Sequence, residues 1–458
     1  MFAILGVALA YTPSVSYIVP LVFLLSWSSK NLRITGLVFC CFFLLYAHKS
    51  YQFPSEPEIE AQGIFTVESI ARQSGPFNKT LLYKGTFGNI PCRVYIPLNK
   101  DRPIGSKIPF TGKLQRKDDR NYVLKLKSWE NTAPGIPEWR FQLKEAFLEF
   151  LHKKIPDSRS RVFLTSMITG DIEERLVSME FGRLGLQHIL GVSGFQFLLI
   201  AAALGIVLRL FLPYMWASAL LLVLLSAYFF ILGPSPPVMR AWAASTLYLL
   251  GILLNRPTSA INALGVGLLF ELAFDPLVIT NIGFQLSFIC TAAILLVYPP
   301  MHRLFLHLLP RRSLSDLKQF PLLDKHAYII SALLRESLAL NAAVHLLALP
   351  VLLCLFGKFP LLSLAYNLFF PFLAAISFCL LLASLACPFL FPLCNAFTKI
   401  ILIITTYPPM ILDRAIYFPG MTLGWAVVLT SLIILLSLNL YRKPQDLPGN
   451  GKGSLGFG

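Results

Sequence analysis

Three patterns of apolar and polar positions succeed one another along the chain. From about Ser50 to about Asn131, short stretches such as GIFTVESIA, KTLLYKGTFG, CRVYIPL, KIPFTGKLQR and RNYVLKLKSWE alternate apolar with polar residues, and Gly, Pro and Asn divide them. A period of two with turn residues at this spacing predicts about five strands, enough for a small β-barrel of the OB type. From Glu138 to Lys153 the period becomes helical, with Phe141, Phe147, Leu148 and Leu151 set among charges. After a further helical run containing TSMITGDIEERL, apolar segments follow without a soluble break. They lie near 188–208, 214–232, 238–254, 259–274, 281–298, 337–356, 361–384, 388–406 and 423–440. With two shorter apolar runs before Ala47, the length rule gives about eleven crossings. The expected fold class is a polytopic α-helical membrane protein with an OB-like β-barrel inserted after its N-terminal spans. The expected domains are N-terminal spans over 1–48, the basic OB-like domain over 49–135 and an amphipathic helical connector over 136–187. A transmembrane core over 188–441 and a Gly-rich disordered tail over 442–458 follow.

Composition agrees with a membrane chain, since 56% of the 458 residues are hydrophobic and 14% charged. The net charge of +16 is large for so apolar a sequence, and its placement matters. If Lys30 and Arg33 between the first apolar runs face the cytoplasm, parity puts Arg209, Asn255 with Arg256, the loop MHRLFLHLLPRRSLSDLKQ and the terminal YRKP there too. Lys358 and Arg414 then fall outside. On that parity the barrel is extracytoplasmic and the C-terminus cytoplasmic.

The barrel region is itself basic: between Gln62 and Glu130 there are 13 Lys and Arg against 5 Asp and Glu. Long outside domains escape the positive-inside bias, so this excess points to a polyanion. Arg93, Lys113, Arg116 and Lys125 are the candidate phosphate contacts, interleaved with Tyr83, Phe87, Tyr95, Phe110, Tyr122 and Trp129, which either stack on bases or fill the barrel. Of the eight cysteines only Cys92 lies in this region, which excludes an internal disulfide there.

Polar residues inside apolar runs mark a substrate path or a reactive site. LGLQHILGVSGFQF supplies His188, Ser193, Gly194 and Gln196; PSPPVMRAWAAS places Arg240 just inside a span behind three prolines; NIGFQLSF supplies Gln285 and Ser287. In TGDIEERL, Asp171 followed three positions later by Glu174 fits a capping box. Gly191 and Gly194 fit close helix packing.

GDIEERLVSMEFGRLGLQHILGVSGFQF, PPVMRAWAASTLYLLG, NALGVGLLFELAFDPLVITNIGFQLSF and LPVLLCLFGKFPLLSLAYNLFFPF stand in the order and at the spacing of the ComEC family of competence DNA-uptake proteins, which the chain resembles over nearly its whole length. The resemblance implies a channel that takes single-stranded DNA across the bacterial cytoplasmic membrane during natural transformation, with the OB-like domain outside. It singles out Gly170 and Asp171, His188, Ser193 and Gly194, Arg240, Gly283, Gln285 and Ser287, and Asn367 with Pro371. It departs at Gln196, where the family usually carries histidine. Many relatives continue into a metallo-β-lactamase-like domain, and this chain shows no H-x-H-x-D-H pattern. The expectation is therefore a channel and not an enzyme, with no cofactor and no metal. Its expected partners are single-stranded DNA, membrane lipid, a separate DNA receptor and a cytoplasmic ATPase or helicase, with a separate nuclease as a further candidate.

Two other readings use the same residues. GVSG resembles the G-x-S-G of rhomboid intramembrane proteases, which would make Ser193 a nucleophile and His345 its base. A secondary transporter for a small anion would use broken helices to present their N-termini to the solute.

Overall fold

A computed structural model describes residues 56–74, 79–88, 90–98, 101–118, 121–172, 174–310, 321–409 and 414–442. The N-terminal spans and the C-terminal tail expected from the sequence lie outside these residues.

The alternating region forms five strands: β1 (Glu58–Ser74), β2 (Lys79–Phe87), β3 (Ile90–Pro97), β4 (Lys107–Asp118) and β5 (Asn121–Trp129). They close into a barrel in the order β1-β2-β3-β5-β4, antiparallel except where β3 meets β5 in parallel. That is the OB-like barrel the alternation predicts, and the alternation is its cause. In β3, Cys92, Val94 and Ile96 point inward while Arg93 and Tyr95 point out. Phe65, Tyr83, Ile108, Leu114, Tyr122 and Leu124 complete the core. Burial pushes the Cys92 thiol up to about 12, which leaves it a packing residue. Two strand glycines permit the tight coil. A Cβ on Gly85 would sit 2.0 Å from the Thr66 carbonyl oxygen, and one on Gly112 would sit 2.2 Å from that of Lys125.

Three helices follow the barrel: α1 (Ile136–Lys154), α2 (Ser158–Thr169) and α3 (Arg175–Arg183). Helix α1 is tied to the barrel by Phe141, which joins the barrel core, and by the ion pairs Arg102–Glu138 (2.8 Å) and Arg72–Glu145. The buried Glu138 carboxylate is thereby satisfied, as a buried charge must be.

The apolar runs become α4 (Gly194–Phe211), α5 (Tyr214–Leu232), α6 (Pro236–Leu253), α7 (Ala260–Phe274), α8 (Ile282–Leu308), α9 (Leu322–Phe356), α10 (Leu362–Ala386), α11 (Phe391–Thr406) and α12 (Leu423–Arg442). A two-stranded ribbon pairs β6 (Lys358–Pro360) with β7 (Ala415–Tyr417). Among the described residues seven helices are long and apolar enough to cross a membrane; α6 and α7 are not among them. Helix α7 has only 15 residues, and α6 carries Arg240 and two prolines in its first turns. Helix α8 widens to a π-helix at Ala293–Val297, immediately before Pro299 and Pro300, whose missing N–H groups interrupt the normal ladder.

The described chain divides into two compact units. One comprises residues 56–242 with 372–408, and the other 243–371 with 409–442. The dividing points fall inside α6 and α10, so barrel and connector share a unit with α4, α5 and α11.

Candidate nucleic-acid interface and membrane motif cluster

Three of the four basic residues expected to contact phosphate share one outer barrel surface. Arg93 and Lys125 are exposed and Lys113 is half-exposed, while their strand neighbours Val94, Leu124 and Leu114 are buried. Lys125 stands directly opposite Lys113, and Arg93 pairs with Val123, two residues from Lys125. Lys84 lies directly opposite Arg93 and extends the row on β2. Lys113 also meets Glu58 at 3.1 Å, and this ammonium holds the Glu58 carboxyl below its ordinary range. Arg116 differs from the other three: it falls on the inward parity of β4, opposite Tyr122, at the end of the strand pair where the register shifts.

The aromatics divide in favour of the core. Tyr83, Phe110 and Tyr122 are buried, and Phe87 and Trp129 pack against the same cluster. Tyr95, two residues from Arg93, is the exposed one of the six. Strand parity distinguishes these two roles, although composition does not.

The membrane motif residues of this unit converge. Helix α2 ends at Gly170 with φ of 76°, a left-handed turn suited to glycine. That turn brings Gly170 against Val192 and sends Asp171 to Lys144 on α1, 2.9 Å away. The capping box expected at Asp171 and Glu174 does not form: Glu174 is the N-cap of α3 without a side-chain bond to it, and its carboxylate accepts from Ser158 at 3.1 Å. The two carboxylates are thus engaged by Lys144 and Ser158 and not by backbone N–H groups of the first turn of α3. A capping box forms instead at Ser193 and Gln196, where α4 begins. The Ser193 N–H donates to Gln196 Oε1 at 2.9 Å, Ser193 Oγ bonds the same oxygen, and Gln196 Nε2 donates to the Ile189 carbonyl at 2.9 Å. Gln196 is buried, and His188 is exposed on a short 3-10 turn just before it, between buried Leu186 and Ile189.

Gly194 and Arg240 meet. A Cβ on Gly194 would lie 3.3 Å from an Arg240 guanidinium nitrogen, whereas one on Gly191 would meet open space. Gly194 thus makes room for an arginine side chain, and close helix packing does not account for Gly191. The connector helices reach the same end of the bundle. Tyr228 of α5 donates to the Ile168 carbonyl at 2.8 Å, and Arg140 of α1 lies 4.7 Å over the Phe230 ring, beside Gly233. Barrel, connector, Asp171, Ser193, Gly194 and Arg240 therefore belong to one packed assembly.

In the other unit, Asn281 caps α8 by accepting from the Gly283 N–H at 2.8 Å, and Gln285 Nε2 donates to the Ile279 carbonyl at 2.8 Å. Ser287 is half-buried on the first turns of the same helix. Asn367 donates to Ser363 Oγ at 2.9 Å, and that hydroxyl lies 3.1 Å from His345 Nε2; His345 Nδ1 is 2.8 Å from the Asn341 carbonyl. Both ring nitrogens of His345 are thus engaged within its own unit.

A feature that residue-by-residue reading missed joins Gln196 to Gln285. Gly-Phe-Gln occurs at 194–196 and again at 283–285, each time behind an N-cap residue, and each glutamine ties its helix start to a carbonyl of the preceding 3-10 turn. The repeated tripeptide was the available signal. Among the described residues no group of three or more His, Cys, Asp and Glu side chains is disposed to hold a metal.

Against known proteins, the profile of the competence protein family matches residues 169–443, more than half of the chain. The chain belongs to that family. ComE operon protein 3 of Bacillus subtilis (strain 168) is 26% identical over 263 residues, which cover 56% of this chain and 30% of that protein. No solved structure matches the chain. The competence region starts at Thr169, so it includes the Gly170 turn, the α4 start, Arg240 and both Gly-Phe-Gln sites, while the barrel precedes it.

Proposed function

We propose that the protein is the membrane channel of competence DNA uptake, passing single-stranded DNA across the cytoplasmic membrane. The barrel captures the strand on the outer side through Arg93, Lys113 and Lys125, with Tyr95 available for stacking; Arg116 adds charge at the barrel's end. His188, Ser193, Gly194, Gln196 and Arg240 line the strand's path in the barrel's own unit, and Gln285, Ser287 and Asn367 are the path residues assigned to the other unit. Asp171 holds the connector at the junction. The passage needs no covalent chemistry, and the force that moves the strand comes from a separate cytoplasmic motor.

One observation carries this reading: a barrel with a basic outer row is packed, through α1 and α2, onto the competence motif residues of its own unit. A small-anion transporter has no use for such a row, and the intramembrane protease reading needs a free Ser193 and a free His345. Ser193 is tied into a helix cap, and His345 is bonded at both ring nitrogens.

Phosphate neutralisation makes binding salt-dependent, with a slope of about 0.7 per contacted phosphate for single strands. Titrating a labelled oligonucleotide against the reconstituted protein should give affinity that falls steeply as salt rises. Replacing Arg93, Lys113, Arg116 and Lys125 together by glutamine should weaken binding at least tenfold and flatten the slope. Unchanged affinity in a folded variant would remove the barrel's assigned role.

A further inference from the structure

Helix α9 ends at Phe356, and the chain then turns and runs back along the helix as β6, which pairs with β7. We propose that this ribbon lines a water-filled part of the strand's path in the unit of residues 243–371 with 409–442, where Lys358 takes a backbone phosphate of single-stranded DNA and Tyr417 stacks on a base. The proposal rests on the DNA-uptake reading and gives it a named contact within the helical region.

The reversal begins at Gly357, which closes α9 with a left-handed φ of 64° and an N–H bonded to the Leu353 carbonyl at 2.9 Å. The returning segment then meets residues well inside the helix. The Phe359 ring lies 5.6 Å from that of His345, Ser363 Oγ lies 3.1 Å from His345 Nε2, and Asn341 Nδ2 donates to the Leu364 carbonyl at 2.7 Å. His345 precedes the helix end by 11 residues, about 16 Å of helix. That stretch, HLLALPVLLCLF, contains no Asp, Glu, Lys or Arg and belongs in hydrocarbon. The ribbon therefore lies at membrane depth. Non-helical backbone is tolerated there only where protein buries it or water reaches it.

The ribbon has a side of each kind. Phe359 is buried against His345, and Asn367 donates to the Ser363 hydroxyl that meets the same imidazole, so the inner side is fixed by protein. Lys358 and Tyr417 are exposed, Tyr417 by 70%, and stand directly opposite each other. The Phe418 N–H bonds the Gly357 carbonyl at 2.9 Å, and the Leu361 N–H bonds that of Arg414 at 3.0 Å. Alternation along the ladder makes Lys358 and Tyr417 a non-hydrogen-bonded pair, in which side chains stand closest, and puts Pro360, which has no N–H to give, at the next such position. An ammonium beside an exposed phenol ring matches one nucleotide, with the phosphate on the cation and the base on the ring. Lys358 makes no ion pair among the described residues, and a charge at this depth is kept for an anion or an aqueous path. Asp413 precedes Arg414, the ribbon's other cation, in the sequence, so the assignment rests on Lys358. The ring beside it favours a nucleic-acid strand over a lipid headgroup as the phosphate's source.

Thiol reactivity and strand affinity test the two halves of this in full-length protein reconstituted in phosphatidylcholine nanodiscs. Tyr417→Cys and, as a lipid-facing control, Leu436→Cys in the span α12 are treated with a water-soluble trimethylammonium thiosulfonate, with wild type giving the background of the native cysteines. Tyr417→Cys should react at least tenfold faster than Leu436→Cys, and saturating oligo-dT should slow it at least threefold. Lys358→Gln, at an exposed position, should bind fluorescent oligo-dT about threefold more weakly, with a salt slope lower by about 0.7, the share of one phosphate contact, whereas Lys358→Arg should keep wild-type affinity. A reaction as slow as that of Leu436→Cys would overturn the water-filled position, and wild-type affinity in Lys358→Gln would overturn the phosphate contact. Protection of Tyr417→Cys by phosphatidylglycerol in the nanodiscs, and not by oligo-dT, would assign the ribbon to lipid and remove the DNA contact. Wild-type protein that binds no strand would instead defeat the DNA-uptake reading, and the thiol reaction, which needs no DNA, tells that failure from failure of the ribbon.

Discussion

Gln196 spends its amide on the helix that carries it. Its oxygen accepts from the Ser193 N–H and hydroxyl, and its nitrogen donates to Ile189, so a buried polar side chain in an apolar segment is satisfied locally. Glutamine does not titrate, so a proton role that a histidine could play at this position is absent by chemistry. Gln196→Leu would remove the partner of the half-buried Ser193 N–H and of the buried Ile189 carbonyl, and we expect it to cost roughly 1–3 kcal/mol. Ser193→Ala should cost about 1 kcal/mol as a lost cap and leave DNA uptake in place. Thermal unfolding in detergent, paired with a transformation assay, reads both. Uptake abolished by Ser193→Ala at unchanged stability would return Ser193 to the list of reactive groups. The sequence pointed to Ser193 and Gln196 but not to their bond. S-G-F-Q fits the same capping pattern as D-I-E-E, and the two differ in their partners: Asp171 pairs with Lys144 and Glu174 with Ser158, whereas Ser193 and Gln196 pair with each other.

The elements were more legible than their joints. Alternation in CRVYIPL and KIPFTGKLQR gave β3 and β4 because a strand with one buried face must alternate. Long apolar runs gave the spans because an unbroken helix is the economical way to satisfy backbone groups in hydrocarbon. Pairings between distant residues, such as Gly194 with Arg240 or Arg140 with Phe230, have no local pattern to betray them. Helix α2 shows how much one joint matters. Asp157 accepts from the Ser160 N–H at 2.8 Å and hydroxyl at 2.6 Å, and although burial opposes ionisation, these bonds keep its carboxyl below the ordinary aspartate range. A depressed carboxyl contributes stability that is present above the unfolded pKa of about 3.9 and is lost as pH falls through the lower folded value. Asp157→Ala should therefore destabilise the protein by about 1 kcal/mol at neutral pH, with the difference from wild type shrinking below about pH 4. Denaturation midpoints at pH 7 and pH 3.5 test this, and a gap that widened in acid would contradict it.

For the whole molecule, the fold class was readable because each half of the architecture leaves its own period in the sequence. The charge was readable too, but not its geometry: Arg93, Lys113 and Lys125 line one surface, whereas Arg116 points along the other parity. The aromatics split for the same reason, with Tyr95 outside and Tyr83, Phe110 and Tyr122 in the core. The result is a membrane protein of the competence family whose basic barrel is tied by α1 and α2 to the residues at the start of its helical region. The central claim is transport, and it is tested by supplying labelled DNA to naturally transformable cells with and without this protein. The strand recovered inside, protected from added nuclease, is then measured. The account predicts a protected pool that disappears when the protein is deleted and returns with the intact gene; an equal pool in cells lacking the protein would contradict it.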